Sequence, residues 1–151
     1  MKYNTSNELM HFDFSEANIA EIQQMNGYFH AVFDNVTILP ENSCNRDIRQ
    51  MRTNQLHFKI PNGQIIKFIE EGYKVYDANG KLSHQYEDKN VQPESYLEEL
   101  KKLADCTIYS IEKTDSYYIL SIDTEDHTYL IHVAGSEDIE EWDRFMSKDE
   151  F

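Results

Sequence analysis

The sequence predicts an α+β domain built on a curved antiparallel sheet of about seven or eight strands, with two or three helices. Short runs of alternating polar and apolar residues recur, and turn sequences such as Pro61-Asn62-Gly63 separate them. Helical patterns are few and do not alternate with strands, which excludes parallel βαβ units. The length of 151 residues predicts a single globular domain over 1–151. A half-closed β-barrel with a C-terminal helix is the alternative.

The first third of the chain predicts one helix and one extended segment. Ile19, Ile22 and Met25 are three residues apart, which favours a helix over 16–25 capped by Ser15. Residues 28–39 are β-branched and aromatic and therefore predict strand. Their alternation breaks at Asp34-Asn35, which indicates a turn between two short strands or a bulge.

The middle and last parts of the chain predict a series of hairpins and two further helices. The strands are expected at 54–60, 64–70, 73–77, 81–86, 106–113, 116–123 and 127–134. Pro93 suits the first turn of a helix with an apolar stripe through Leu97 and Leu100. A last helix is expected over 137–147, capped by Ser136, with Trp142 on its buried face.

The charge is strongly negative and unevenly distributed. The chain has 28 acidic and 14 basic residues, and the last third alone carries 13 acidic residues against 5 basic ones. Nucleic acids and anionic membranes are recognised by clusters of Lys and Arg, so the composition argues against both as partners. No apolar stretch is long enough to cross a membrane. The N-terminal residues lack an apolar signal segment and the two cysteines form no disulfide framework, so a cytoplasmic location is expected.

Catalytic motifs are not recognisable in the sequence. It contains no glycine-rich dinucleotide or phosphate-binding motif, no serine nucleophile elbow and no zinc-protease motif. The segment from Asp123 to His127, with His132 beyond it, has ligand types suited to a divalent cation, but Asp and Glu are also common in hairpin turns. Cys44, in a polar loop with Arg46 and Arg49, is the most plausible nucleophile. No cofactor is predicted.

The acidic C-terminal third therefore supports the leading functional prediction. The protein is expected to be a small non-enzymatic module that binds and neutralises or regulates a basic protein, a profile shared by immunity proteins and acidic inhibitors. The predicted partner-binding residues are Asp123, Glu125, Asp126, Glu137, Asp138, Glu140, Glu141, Trp142 and Asp143. The alternatives are a small-molecule binder with an aromatic-lined pocket, or an enzyme centred on Cys44 or on the Asp123–His127 turn.

Overall fold

The computed structural model describes residues 1–147, which are mainly antiparallel strand with one short α-helix. The first eight strands are β1 Tyr3–Ser6, β2 Phe12–Asp13, β3 Asn18–Met25, β4 Tyr28–Asp34, β5 Val36–Ile38, β6 Met51–Thr53, β7 Leu56–Pro61 and β8 Gln64–Glu70. The other eight are β9 Tyr73–Tyr76, β10 Leu82–Tyr86, β11 Lys89–Asn90, β12 Thr107–Lys113, β13 Tyr117–Asp123, β14 Thr128–Ala134, β15 Ile139–Trp142 and β16 Met146–Ser147. Helix α1 spans Tyr96–Lys101, and 3-10 turns span Leu9–His11 and Pro93–Ser95.

Ten of these strands form one sheet that folds over on itself without closing. The strand order is β1-β15-β7-β4-β3-β12-β13-β14-β8-β11. At its centre, β3 pairs with β12 through a single residue pair, Asn18 with Thr107, so the sheet divides there into two halves. Strands β16-β6-β5-β2 form a small second sheet, and β9 and β10 form a separate hairpin. The expected antiparallel sheet is confirmed, with more strands and fewer helices than predicted.

The core lies between the two halves of the large sheet. Phe58 on β7 contacts Tyr118 on β13 edge to face, with ring centroids 6.1 Å apart. Both side chains are fully buried, and the cluster around them draws apolar residues from nearly every main strand. Leu100 on α1 and Leu103, just after its end, are also buried. The interior is therefore filled with side chains, which argues against a ligand pocket inside the sheet.

The helix predicted over 16–25 is wrong, because this segment is strand β3. The pairing register between β3 and β4 shifts between Ile19 and Glu21, which places a β-bulge at Ala20. The extra residue reverses the alternation, so Ile19 and Ile22 both face the core although they are three residues apart. A bulged strand thus reproduces the apolar spacing of a helix.

The helix predicted over 137–147 is also wrong, because this segment contains strands and no helix. Residues 139–142 form β15, which lies between β1 and β7. Glu140 and Trp142 are buried whereas Ile139 and Glu141 are only partly so, which is the period of two expected for a strand. The alternation of apolar and polar residues typical of such a strand is not visible in the sequence, because the acidic Glu140 occupies a buried position.

The remaining predicted elements are confirmed with small changes in their bounds. The predicted segment 28–39 forms two strands separated at Asn35, whose φ of 61° is left-handed. The hairpin strands occur close to the predicted ranges throughout. The helix after Pro93 is shorter than expected, because it begins as a 3-10 turn and its α-helical part ends at Lys101.

Candidate functional site

The feature of the surface that most needs an explanation is the β9–β10 hairpin, which we call the aromatic hairpin (Tyr73–Tyr86). Every residue of both strands is exposed. The exposed large apolar side chains on these strands are Tyr73, Val75, Tyr76, Leu82 and Tyr86. An isolated two-stranded hairpin is marginally stable in water, and contiguous exposed apolar patches are typical of interaction sites.

Stacked rings give the aromatic hairpin a defined face. Tyr73 lies opposite Tyr86 in the register, and their rings stack with centroids 4.5 Å apart and planes 28° apart. Val75 and His84 are the next opposed pair on the same face, and the His84 ring stacks on Tyr86 at 6.4 Å. The face is therefore a row of rings with their polar tips available to a partner.

Tight packing at Gly72 closes the base of the aromatic hairpin, between its connections to β8 and β11. A Cβ atom at Gly72 would lie 2.0 Å from the carbonyl oxygen of Tyr86, so no larger residue fits without moving the backbone. The Gly72 amide donates a hydrogen bond of 2.7 Å to Asp88 Oδ1. The neighbouring Glu71 amide donates a hydrogen bond of 2.8 Å to the carbonyl oxygen of Thr128, which sets the base of the hairpin beside the turn between β13 and β14.

A small cleft, here called the hairpin-base cleft, lies between the aromatic hairpin and this turn. Its volume is about 250 Å³, and its lining residues are Glu71, Gly72, Tyr73, Thr124, Glu125, Asp126, His127 and Thr128. The His127 ring lies 6.5 Å from the Tyr73 ring, and its Nε2 is 3.5 Å from Glu70 Oε1. Three carboxylates and an aromatic wall thus share one concave site.

The turn itself is held by hydrogen bonds that leave the acidic side chains at its tip exposed. Thr124 Oγ1 accepts hydrogen bonds from the amides of Asp126 and His127. Asp123 Oδ1 accepts one of 3.0 Å from Thr128 Oγ1. Glu125 and Asp126 remain exposed, so part of the predicted binding set lies at the cleft.

The second predicted group of acids, Glu137 to Asp143, lies at the other end of β14. Strand β14 runs from Thr128 beside the turn to Ala134, a distance of roughly 20 Å at the usual rise per residue. The two groups of predicted acidic residues therefore lie at opposite ends of β14. Of this second group, Glu137 and Asp143 are exposed, and Glu141 Oε1 forms an ion pair of 2.7 Å with Lys59 Nζ.

Three of the predicted partner-binding residues lie in the interior, which corrects the predicted binding set. Asp138, Glu140 and Trp142 are fully buried, because Asp138 directly precedes β15 and the alternation that turns Glu140 and Trp142 inward begins with it. Asp138 accepts hydrogen bonds from Tyr118 at 2.7 Å and from the Leu9 amide at 3.1 Å. These side chains join β1 and the 3-10 turn to the core, where a docking partner cannot reach them.

The buried Glu140 carboxyl has an altered pKa. Burial, together with the neighbouring Asp138 side chain, raises the pKa of Glu140 to about 9. Its Oε1 accepts a hydrogen bond of 2.8 Å from Thr5 Oγ1, and its Oε2 has no hydrogen-bond partner. Burial and the hydrogen bond to Asp138 also raise the pKa of Tyr118 far above its usual value. The pair is a structural feature of the interior.

The alternative catalytic centres gain no support from their surroundings. Cys44 Sγ donates a hydrogen bond to the carbonyl oxygen of Asn4 at 3.5 Å, and the thiol lies in a shallow depression beside Arg46 and Tyr3. The His132 ring stacks on Tyr117 at 5.3 Å, away from the turn. Within residues 1–147, no group of three or more His, Cys, Asp or Glu side chains is arranged to hold a metal ion.

Sequence reasoning missed the tyrosines of the aromatic hairpin as site residues. Tyr73 lies on the strand expected over 73–77, but this strand belongs to a separate two-stranded hairpin whose residues are all exposed. The signal that could have found it is the composition of 73–86, in which apolar residues fall on both faces between two turns. A strand with one core-facing side would alternate polar and apolar residues.

Comparisons of this chain with protein-family models, with curated proteins and with solved structures give no match. No helix among residues 1–147 is long and apolar enough to span a membrane.

Proposed function

We propose that this protein is a non-enzymatic binding module that docks a basic segment of a partner protein on the aromatic hairpin and the hairpin-base cleft. The observation that carries the proposal is the aromatic hairpin itself, an exposed apolar surface set beside exposed carboxylates. Aromatic residues are enriched at protein interfaces, and acidic residues around them select a cationic partner.

The chemistry of the cleft fits a lysine or arginine side chain. The Tyr73 ring offers a face for a cation, and such contacts are worth about 0.5–2 kcal/mol. Glu71, Glu125 and Asp126 supply negative charge around the same space. The apolar stem of a long basic side chain can lie along the rings while its charged end reaches the carboxylates.

Charge reversal at the turn tests the location of the site. We expect the double variant Glu125→Lys/Asp126→Lys to slow association with a lysine- and arginine-rich 15-residue peptide at least about tenfold at low salt, since steering depends on local charge. The matched control is Glu137→Lys/Asp143→Lys, which changes the net charge equally at the far end of β14. Stopped-flow fluorescence of the labelled peptide measures both rates.

The control makes the outcome specific. Equal slowing in both double variants would mean that the peptide senses only the overall charge, and would contradict a site at the hairpin-base cleft. Slowing confined to Glu137→Lys/Asp143→Lys would move the site to the other acidic group. Circular dichroism of each variant verifies that the fold is retained.

The aromatic contribution is tested separately. We expect Tyr73→Ala/Tyr86→Ala to lower the equilibrium affinity for the same peptide at least about tenfold, because aromatic side chains contribute most of the binding energy at many interfaces. Tyr109→Ala is the control, since Tyr109 is 66% exposed but lies on β12. Isothermal titration calorimetry gives the affinities. An unchanged affinity in the hairpin variant would show that the rings do not contact the peptide.

A further inference from the structure

One edge of β3 is unpaired over most of its length. Only its first residues pair toward β12, where Ile19 N donates to Cys106 O and Asp105 N donates to Ile19 O, both at 2.8 Å. From Ala20 to Met25, no strand among residues 1–147 pairs with this edge. Natural edge strands are usually protected by Lys, Pro or a covering element. This stretch contains neither Lys nor Pro, and helix α1, which packs against β3, leaves a groove beside it.

The pairing with β4 fixes which backbone groups point outward. Met25 and Tyr28 close the turn at Asn26-Gly27 and are opposed in the register, so they exchange hydrogen bonds with each other. Alternation along the ladder then directs the N–H and C=O groups of Ile22 and Gln24 away from β4. The groups of Glu21 and Gln23 point toward β4.

A groove lies along this edge, between β3 and α1. Its volume is about 340 Å³. It is lined by six consecutive β3 residues, 20–25, and by Leu97, Leu100, Lys101 and Ala104. Because consecutive residues of β3 line it, the groove follows the edge of the strand as well as one of its faces. Leu97, which is 64% exposed, presents an apolar wall along the groove.

We propose that this edge accepts an extended segment of a partner polypeptide as an additional strand, with apolar side chains at alternate positions over Leu97. The occupant is a strand because outward N–H and C=O groups at every second residue are matched by another extended backbone. The alternating apolar side chains follow from the period of two of a strand and from the apolar groove wall. This surface is separate from the aromatic hairpin and does not depend on the function proposed above.

A second copy of this chain is the less suitable occupant. Helix α1 packs against β3, so an antiparallel approach of two β3 edges would bring both helices to the same junction. The groove beside one α1 suits a single extended segment.

Hydrogen exchange resolves this mode of binding residue by residue. The probes are seven-residue peptides, acetylated and amidated, with Val, Ile, Leu or Phe at alternate positions and Thr or Lys elsewhere. At saturation we expect amide exchange of Ile22 and Gln24 to slow at least about tenfold, with little change at Glu21 and Gln23. Matched peptides with proline at the strand-pairing positions should give no protection. NMR of the ¹⁵N-labelled full chain provides the readout.

A groove-wall substitution provides an independent test. We expect Leu97→Asp to weaken the binding of the tightest-binding peptide at least about tenfold, because the substitution places a charge against the apolar side chains of the peptide. Ile48→Asp is the matched control, since Ile48 is 93% exposed and lies outside the groove. Circular dichroism checks that both variants retain the fold.

Three results would overturn the proposal. The first is a panel in which no peptide protects Ile22 and Gln24. The second is uniform protection of 20–25, which indicates general stabilisation without strand pairing. The third is protection of the Ile22 and Gln24 amides that increases with protein concentration when no peptide is present, together with a dimer in analytical ultracentrifugation. This result would assign the edge to self-association.

Discussion

Replacing Trp142 with alanine is expected to lower the free energy of unfolding by about 3–5 kcal/mol, the usual cost of truncating a large buried aromatic residue. Trp142 is fully buried. Its ring lies 5.5 Å from that of Phe12, 5.7 Å from that of Phe145 and 5.8 Å from that of Tyr3. Urea denaturation followed by circular dichroism measures the change.

The size of this effect follows from what Trp142 joins. Tyr3 belongs to β1 at the edge of the large sheet, whereas Phe12 belongs to β2 of the small sheet. Removing the indole therefore leaves a cavity where two sheets meet, and neither sheet can collapse into it without moving the other. The neighbouring exposed Asp143 is the control, and Asp143→Ala is expected to change stability by less than about 0.5 kcal/mol.

A small loss of stability in Trp142→Ala would contradict the buried position of this side chain. A loss below about 1 kcal/mol, similar to the control, would mean that the indole is accessible. The residue would then regain the partner-binding role that its acidic surroundings suggested from sequence.

The hairpins were predictable because local signals define them. Turn sequences such as Pro61-Asn62-Gly63 and the alternation of 54–60 act over a few residues, and both strands on either side of that turn occur as expected. The division of 28–39 at Asn35 was predictable for the same reason. Local alternation and turn chemistry needed no knowledge of distant partners.

The two wrong helices share a different cause, because long-range pairing determines both segments. The bulge at Ala20 arises in the pairing of β3 with β4, and β15 is paired with β1 and β7. Apolar residues three or four apart favour a helix when these neighbours are unknown. In both segments, pairing with strands that are distant in sequence outweighs the local preference for a helix.

The candidate site was only partly predictable. Glu125 and Asp126 were identified by their charge density, which a sequence shows directly. Their position beside Tyr73 depends on the pairing of β8 with β14, which joins residues more than 50 positions apart. Charge alone could not show that Glu140 is buried, because its partner Thr5 lies at the opposite end of the chain.

Glu140 is expected to make the protein less stable as the pH rises from about 5 to 9. Its pKa is about 9 in the folded protein, whereas the ordinary value is 4.5. Between these values the unfolded chain has released the proton and the folded protein still holds it. Unfolding therefore releases a proton in this window, and the free energy of unfolding falls with rising pH.

The variant Glu140→Gln isolates this effect. Its amide does not titrate, and its oxygen can still accept the hydrogen bond from Thr5. Within this pH window, the free energy of unfolding falls by at most about 1.4 kcal/mol for each pH unit. Wild type should therefore lose about 1–3 kcal/mol more stability than the variant between pH 6 and pH 8. Urea denaturation at a series of pH values gives both slopes.

The comparison of slopes removes the contribution of the other titrating groups. The six histidines and the remaining carboxyls are common to both proteins, so their effect on the pH dependence cancels in the difference. Glu137→Gln makes the same chemical change at an exposed position and should keep the wild-type slope. If Glu140→Gln also keeps that slope, the Glu140 carboxyl is ionised in the folded protein. Its burial beside Thr5 and Asp138 would then have to be compensated by a cation, and Lys113, whose Nζ lies 3.5 Å from Asp138 Oδ1, is a candidate.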